Sequence, residues 1–176
     1  MNFLIPSDLH PSLVPLAWLI GRWEGAGVVG YPGIDEARFG QEVEFRHDGR
    51  DFLHYSSQLH LLDAAGEIAA PIDSESGYWR VAVAADPHAD AARAPGVDVE
   101  VLLAHPTGVV EVYVGRATGA RVDLATDVVA RTRTAEEYSA ARRLYGSVDG
   151  QLMWALDVAA GGHPMSSYAS AALKRV

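Results

Sequence analysis

Apolar and polar residues alternate along most of the chain that follows Gly21. In the segment VDVEVLLAH, for example, Val97 and Val99 share one face while Asp98 lies on the other. Many similar short segments are separated by glycine-containing turns, of which Asp149–Gly150 is a strong hairpin signal. A period of two with one apolar face indicates an antiparallel rather than a parallel sheet. The pattern therefore predicts roughly ten strands in an antiparallel sandwich or barrel.

Two of the predicted strands carry valine-rich faces. In VVEVYVGRA, Val110, Val112 and Val114 share a face. In the next segment, RVDLATDVVAR, Val122 and Val128 are assigned together to an apolar face opposite the charged residues.

The segment before the first strand has helical rather than strand spacing. We expect a short helix, or a pair of helical turns, with Ser12 as its N-cap. Residues 1–12 are interpreted as an extended N-terminal arm, and residues 13–176 as one barrel domain. The apolar positions that repeat with helical spacing are Leu13, Leu16, Ala17 and Ile20.

The first strand contains an unusual number of glycines, in the sequence GRWEGAG. Gly21, Trp23, Gly25 and Gly27 fall on one face of this strand. Glycine within a strand marks a bend, a bulge or a close approach of backbones. We expect these glycines to curve the strand so that a barrel can close, with the Trp23 ring covering them.

Composition narrows the classes of function. The chain has no cysteine, which excludes disulfides, thiolate metal sites and cysteine nucleophiles. A formal net charge of −9 with scattered arginines argues against binding to nucleic acid. No stretch approaches 18 uninterrupted apolar residues, and the first residues lack a basic leader, so we expect a cytoplasmic protein with no membrane association.

Several segments, in order along the chain, resemble the nitrobindin family. They are GRWEGAG, YPGI, ESGYWR, HPTGVVEVYVG and the terminal ALKRV. The resemblance extends from Pro11 to Val176, and its main departure is a longer surface loop at Asp86–Gly96, which we expect to be mobile. It implies an all-β fold: a ten-stranded antiparallel up-and-down barrel like that of fatty-acid-binding proteins and lipocalins, with a short N-terminal helical segment.

The resemblance also implies a haem site. Members of the family bind ferric haem b through one histidine of the last strand and are associated with nitric oxide binding and peroxynitrite isomerisation. At the matching position this chain has Tyr168, after Ser167 where the family has proline. Two further positions near the haem fall on Glu136 and on or beside Asp73.

Tyr168 leaves three alternatives open. The first is a packed aromatic residue in a barrel without haem, and the second is a phenolate ligand of ferric haem. The third is a residue of a pocket for another small apolar ligand. A phenolate requires a lowered pKa, for which Arg142 or Arg143 would be the neighbouring cation. His163, in the segment GGHPM, is a substitute ligand only if its loop folds back into the barrel mouth. The spacing of the seven histidines predicts no metal site.

We therefore expect a nitrobindin-like barrel that has lost axial-histidine haem binding, has no catalytic residues and no cofactor, and binds a small hydrophobic ligand. The alternative is a haem b protein, held by Tyr168 or His163, with peroxynitrite isomerase-like activity. A third reading is an interaction module that uses the apolar arm NFLIP. The sequence leaves the oligomeric state open, a homodimer included.

Overall fold

The computed structural model describes residues 5–82 and 95–176 and contains a closed ten-stranded barrel. Every strand pairs with its sequence neighbours in antiparallel fashion, and β1 pairs with β10 to close the sheet. The predicted barrel is therefore confirmed. The strands are β1 Gly21–Tyr31, β2 Ile34–Arg46, β3 Phe52–Leu62, β4 Ile68–Val81, β5 Val97–Ala104, β6 Val109–Thr118, β7 Arg121–Arg131, β8 Tyr138–Val148, β9 Gln151–Ala160 and β10 Ser166–Arg175.

A 3₁₀ helix, Pro11–Leu19, closes one end of the barrel. It begins one residue before the predicted cap, because the His10 ring accepts the Ser12 backbone N–H. Most of its apolar residues are buried in the barrel core, although Val14 is exposed. The Trp23 indole N–H donates to the Leu19 carbonyl at 2.8 Å. Its fully buried side chains are Leu13, Leu16 and Leu19.

The glycines of β1 make room for side chains from neighbouring strands. A Cβ at Gly27 would lie 2.5 Å from the Phe39 ring and 2.2 Å from the Ser170 carbonyl oxygen. At Gly25 the nearest side chain is that of Leu173. The Trp23 indole bonds to the helix, and the atoms nearest to an added Cβ at Gly25 and Gly27 belong to β2 and β10 rather than to Trp23. The glycines allow neighbouring strands to pack tightly across β1, which is the close approach expected of glycine within a strand.

The opposite end, which we call the open end, carries the turns that follow β1, β3, β5, β7 and β9. Several inward-facing residues there are only partly buried, among them Val29, Leu59 and Ala160. The inner wall is therefore less completely covered at the open end than at mid-depth. The predicted Asp149–Gly150 hairpin lies at the other end, with positive φ at both residues.

The valines of β6 share a face as predicted, and that face is the outer one, whereas one assignment in β7 was wrong. Val110 and Val114 point outward, with 47% and 45% exposure, and the inner face of β6 carries the fully buried Glu111. In β7, the pairing with β6 shifts beside Tyr113, and Val128 beyond the shift is exposed rather than grouped with buried Val122.

The predicted loop Asp86–Gly96 lies almost entirely outside the described residues. Within the described ranges, no helix is both long and apolar enough to cross a membrane.

Candidate functional site

The predicted ligand-contact residues lie together at the open end. Asp73 is on β4, Glu136 is in the turn before β8, His163 is in the turn after β9, and Tyr168 is near the start of β10. These positions come from four separate segments of the chain, and the barrel topology brings their turns and strand ends to the same rim.

Tyr31, at the end of β1, connects two of these residues. Its ring packs edge-on against His163 at 5.8 Å and against Tyr168 at 5.9 Å between centroids. Its hydroxyl accepts the Ala160 backbone N–H at 3.0 Å and lies within donor distance of the Val158 carbonyl, at 3.2 Å. Tyr31 is thus held against β9 and forms an aromatic wall with the other two rings.

A bulge determines how Tyr168 is placed. The pairing of β10 with β9 shifts between Ser167 and Ala169, which leaves Tyr168 as the extra residue. Its side chain is half-buried and packs against the core, although the adjacent Ala169 is also buried. The bulge therefore allows two consecutive residues to contact the interior.

The electrostatic surroundings of Tyr168 disfavour its phenolate. Burial raises the pKa of the Tyr168 hydroxyl, and the negative charges of Asp73 and Glu136 raise it further. The expectation that Arg142 or Arg143 would lower this pKa was wrong. Arg142 is exposed and Arg143 is bound to a carboxylate inside the barrel.

That carboxylate belongs to Glu75, on the inner face of β4. Arg143 donates to its two oxygens at 2.8 and 2.7 Å, the bidentate geometry that guanidinium favours. The same guanidinium donates to the hydroxyls of Tyr113 and Tyr145. Burial alone would raise the pKa of Glu75, but the charge and hydrogen bonds of Arg143 lower it. Glu75 is therefore ionised although it is buried.

Glu111 extends this ionic cluster towards the open end. Its carboxylate accepts hydrogen bonds from Tyr113 at 2.6 Å and from Tyr138 at 2.7 Å, and lies 2.9 Å from His105 Nε2. Burial alone would raise the pKa of Glu111. The hydrogen bond from His105, the charge of Arg143 and the two tyrosine hydroxyls instead lower it to about 2.

His105 lies between two carboxylates and acts as a cation. Its Nε2 faces Glu111, and its Nδ1 lies 3.3 Å from Asp73. Because neither carboxylate can donate when ionised, both ring nitrogens must carry protons. Burial alone would lower the pKa of His105, but the hydrogen bonds with Asp73 and Glu111 and the charge of Glu75 raise it to about 9. His105 thus links the rim residue Asp73 to the buried cluster.

A second polar group lies across the interior. The Trp154 indole N–H donates to the Gln41 side-chain oxygen at 2.7 Å, and the Gln41 amide nitrogen donates to the Ser57 hydroxyl at 2.8 Å. Ser57 pairs in register with Glu75, and Trp154 with Tyr145. The two groups therefore form one polar layer at mid-depth. Apolar residues fill the barrel between this layer and the helix, and the open end lies on the other side of the layer.

Sequence reasoning missed this layer. Glu111 lies between valines, and the apolar outer face of β6 was as prominent as its inner face. The available signal was the Glu111/Tyr113 pair at strand spacing, on the face opposite the valines. No group of three histidine or acidic residues in the described ranges is arranged to hold a metal ion.

Comparison with known proteins identifies the barrel. Residues 12–175 match the family described as the THAP4-like, heme-binding beta-barrel domain. The chain belongs to the nitrobindin family. The resemblance based on the GRWEGAG and related motifs is thereby confirmed.

Individual relatives have different names. A protein of Kineococcus radiotolerans named ferric nitrobindin-like protein is 60% identical, over 100% of this chain and 99% of its own. A protein of Leifsonia xyli subsp. xyli named peroxynitrite isomerase is 44% identical, over 97% of this chain and 98% of its own. Relatives with either name therefore match this chain over almost its full length.

A solved structure matches the fold. The crystal structure of Rv2717c from M. tuberculosis has a TM-score of 0.78 and 35% sequence identity, covering 96% of this chain and 99% of that one. The barrel architecture is therefore shared across almost the full length of both chains.

Proposed function

We propose that this nitrobindin-family barrel binds a small, neutral hydrophobic ligand at its open end and does not hold haem through the family's axial position. The single observation that carries the proposal is the environment of Tyr168, the residue at that position. Burial raises the pKa of its hydroxyl, and the negative charges of Asp73 and Glu136 raise it further.

The family's haem supplies a ferric centre that needs a strong axial donor with one side left open. A tyrosine donates to ferric iron as phenolate. The burial of Tyr168 and its two acidic neighbours favour the neutral hydroxyl, and the buried Arg143 is paired with Glu75. The donor set at the open end therefore does not fit the family's mode of haem ligation.

Support for a hydrophobic ligand comes from the inner wall of the open end. Val29, Leu59 and Ala160 pack on the core and remain partly exposed, and the rings of Tyr31 and Tyr168 stand beside them. Concave sites lined by apolar and aromatic side chains with a few polar groups are typical of small-molecule binding.

The proposal is tested by a neutral probe together with hemin. Nile red should gain fluorescence with the purified protein, in a saturable manner. The gain should fall in a Leu59→Glu variant, which introduces a charge on the inner wall, and persist in a Gln58→Glu variant, whose side chain is exposed on the outside. Hemin should separate from the protein on gel filtration. Retention of one equivalent of hemin with a sharp Soret band, or unsaturable dye binding, would overturn the proposal.

A second candidate is a ferric haem protein in which His163 supplies the ligand. It is favoured by the contact of the Tyr31 ring with both His163 and Tyr168, which brings two donor residues to the same rim. If hemin is retained, His163→Ala and Tyr168→Phe identify the donor by a shift of the Soret band. If neither variant alters the haem spectrum or peroxynitrite decay, this candidate is excluded.

A further inference from the structure

Three aromatic rings pack together on the outer surface of the barrel, at the end that the helix closes. Phe52 and His54 lie on β3, and Tyr78 lies on β4 opposite His54. The ring centroids are 5.3 Å apart for Phe52 and Tyr78, 5.2 Å for Phe52 and His54, and 5.3 Å for His54 and Tyr78. Tyr78 is 47% exposed, so the group is open to solvent. We call these three residues the outer aromatic cluster.

Two arginines stand beside the outer aromatic cluster. The Arg50 guanidinium carbon lies 4.6 Å from the centroid of the Phe52 ring, which is a cation–π distance. Arg80 is the register partner of Phe52 across β3 and β4, so its side chain leaves the sheet on the same face. An aromatic surface and two positive charges are therefore brought together on the outside of the barrel.

Asp48 orients part of this arrangement. Its two carboxylate oxygens each accept from Arg50 Nε at 3.1 Å, and its Oδ2 lies 3.2 Å from His54 Nε2. The hydrogen bonds from Arg50, and then the one from His54, hold the pKa of Asp48 well below its usual range, so this carboxylate stays ionised. Because Arg50 and His54 are already held in place, less ordering is needed when a ligand binds to them.

A cavity of about 290 Å³ lies over the outer aromatic cluster. A second cavity, of about 430 Å³, shares His54, Tyr78 and Leu102 with the first, so the two adjoin on the outer face of the sheet. Small-molecule sites typically enclose roughly 300–1,000 Å³, so there is room for a molecule of one or two fused rings. The first cavity is lined by Arg50, Phe52, His54, Tyr78, Arg80 and Leu102.

The charged groups that line the first cavity keep unused donors. Arg80 donates from Nε to Glu100 at 2.7 Å, and among the residues that the structure describes its two Nη groups meet no acceptor. Arg50 donates from Nε and Nη2 to Asp48, and its Nη1 group likewise has no acceptor in the described ranges. Neither Asp48 nor Glu100 belongs to the lining of this cavity. Both charged residues of the lining are therefore cations with free N–H groups.

These features determine the kind of molecule that fits. The exposed Tyr78 side chain gives a planar aromatic ring a surface on which to stack. A carboxylate, sulfonate or phosphate accepts charge-assisted hydrogen bonds from a guanidinium, whereas a cationic group would be repelled by both arginines. A saturated ring of equal size would lose the stacking contact, and an uncharged aromatic ring would lose the ionic one.

We propose that the outer aromatic cluster, together with Arg50 and Arg80, is a binding site for planar aromatic anions. Tyr78 contributes the stacking surface, and Arg80 contributes the free guanidinium N–H groups. The site lies on the outside of the barrel, so it does not depend on the ligand proposed for the open end.

The test compares 2-naphthoate, 2-naphthamide and decalin-2-carboxylate, which have similar sizes and differ in charge or planarity. NMR titration of the isotope-labelled protein gives both the affinity and the location, because amide shifts at Phe52 and Tyr78 are separate from those at Tyr31 and Tyr168 of the open end. At the outer aromatic cluster, 2-naphthoate should bind about fivefold more tightly than either of the other probes. Raising the ionic strength should weaken the binding of 2-naphthoate and leave that of 2-naphthamide unchanged.

Substitutions separate the ionic and the stacking contributions. Arg80→Gln should weaken 2-naphthoate binding about threefold and leave 2-naphthamide binding unaffected. Tyr78→Ala should weaken the binding of both aromatic probes by about threefold or more. The matched control is Arg121→Gln, which removes an exposed arginine of β7 that is likewise paired with a carboxylate, that of Asp123. This control should bind all three probes as the parent does.

Saturable 2-naphthoate shifts at Phe52 and Tyr78 that weaken in Arg80→Gln would support the site. Three results would each overturn it, whatever Nile red shows at the open end: no saturable shifts at the cluster, equal affinity there for decalin-2-carboxylate, or unchanged affinity in both Arg80→Gln and Tyr78→Ala. Both substituted side chains are exposed, and circular dichroism checks that the variants fold. The comparison of probes on the parent protein decides the matter if they do not.

Discussion

The His105 Nε2 atom lies 2.9 Å from the carboxylate of Glu111, a side chain with no exposure to solvent. The imidazolium and the guanidinium of Arg143 together compensate Glu111 and Glu75 inside the barrel. A cation at the rim and a cation in the interior thus hold two buried carboxylates in place, and each of them can be removed experimentally.

The pH dependence of stability follows from the raised pKa of His105, about 9 against an ordinary 6.5. Its stabilising contribution is fully present below pH 6.5, where the unfolded chain is also protonated, and is lost as pH rises through 9. We expect the free energy of unfolding to fall over this interval by on the order of 3 kcal/mol. Urea denaturation at a series of pH values measures it.

His105→Gln should be less stable than the parent at pH 6.5 and should lack most of this slope. The control is His60→Gln, near the end of β3, which should keep the dependence of stability on pH. A parent protein whose stability is flat between pH 6.5 and 9.5 would contradict the assignment of His105 as the buried cation.

Arg143 is required by the carboxylates that surround it. We expect Arg143→Met to lose about 3–5 kcal/mol of stability, because Glu75 is left as an uncompensated charge inside the barrel. The double variant Arg143→Met/Glu75→Leu should recover a large part of that loss, since it removes both charges. Denaturant unfolding of the set gives the coupling, and a double variant no more stable than Arg143→Met would refute the ionic explanation.

Gly27 tests the packing of the first strand. A Cβ there would lie 2.2 Å from the Ser170 carbonyl oxygen and 2.5 Å from the Phe39 ring, so Gly27→Ala should cost about 1–3 kcal/mol. Gly146 is the control, because the nearest atom to its added Cβ is 3.9 Å away. Gly146→Ala should change stability by no more than about 0.5 kcal/mol. Equal effects of the two substitutions on the thermal midpoint would argue against the tight approach at Gly27.

The sequence was sufficient for the barrel but not for its polar interior. Alternation of side chains specifies two faces of a strand, and it identifies the inner one only where the other is polar. In β5 the charged Asp98 and Glu100 distinguish the outer face from the apolar inner face. In β6 the outer face is made of valines, so the pattern did not show that Glu111 points inward. The pairing shift in β7 reversed the parity that placed Val128 inside.

The open end shows the same limit. Family resemblance pointed to Asp73, Glu136 and Tyr168, and nearness in sequence to Tyr168 added His163. The fold places all four on one rim. The pKa of Tyr168 could not be predicted, because it depends on carboxylates that are distant in sequence and on a bulge in β10. The contact of Tyr31 with two of these residues likewise arises only when β1 and β10 pair.

The central claim, that position 168 lacks the axial donor for haem, is tested most directly by Tyr168→His. We expect this variant to retain one equivalent of hemin with a sharp Soret band after gel filtration. The parent and the control Ser167→His, an exposed neighbour on the same strand, should elute without haem. A parent protein that carries stoichiometric haem through the column would contradict the account, as would a Tyr168→His variant that remains free of haem.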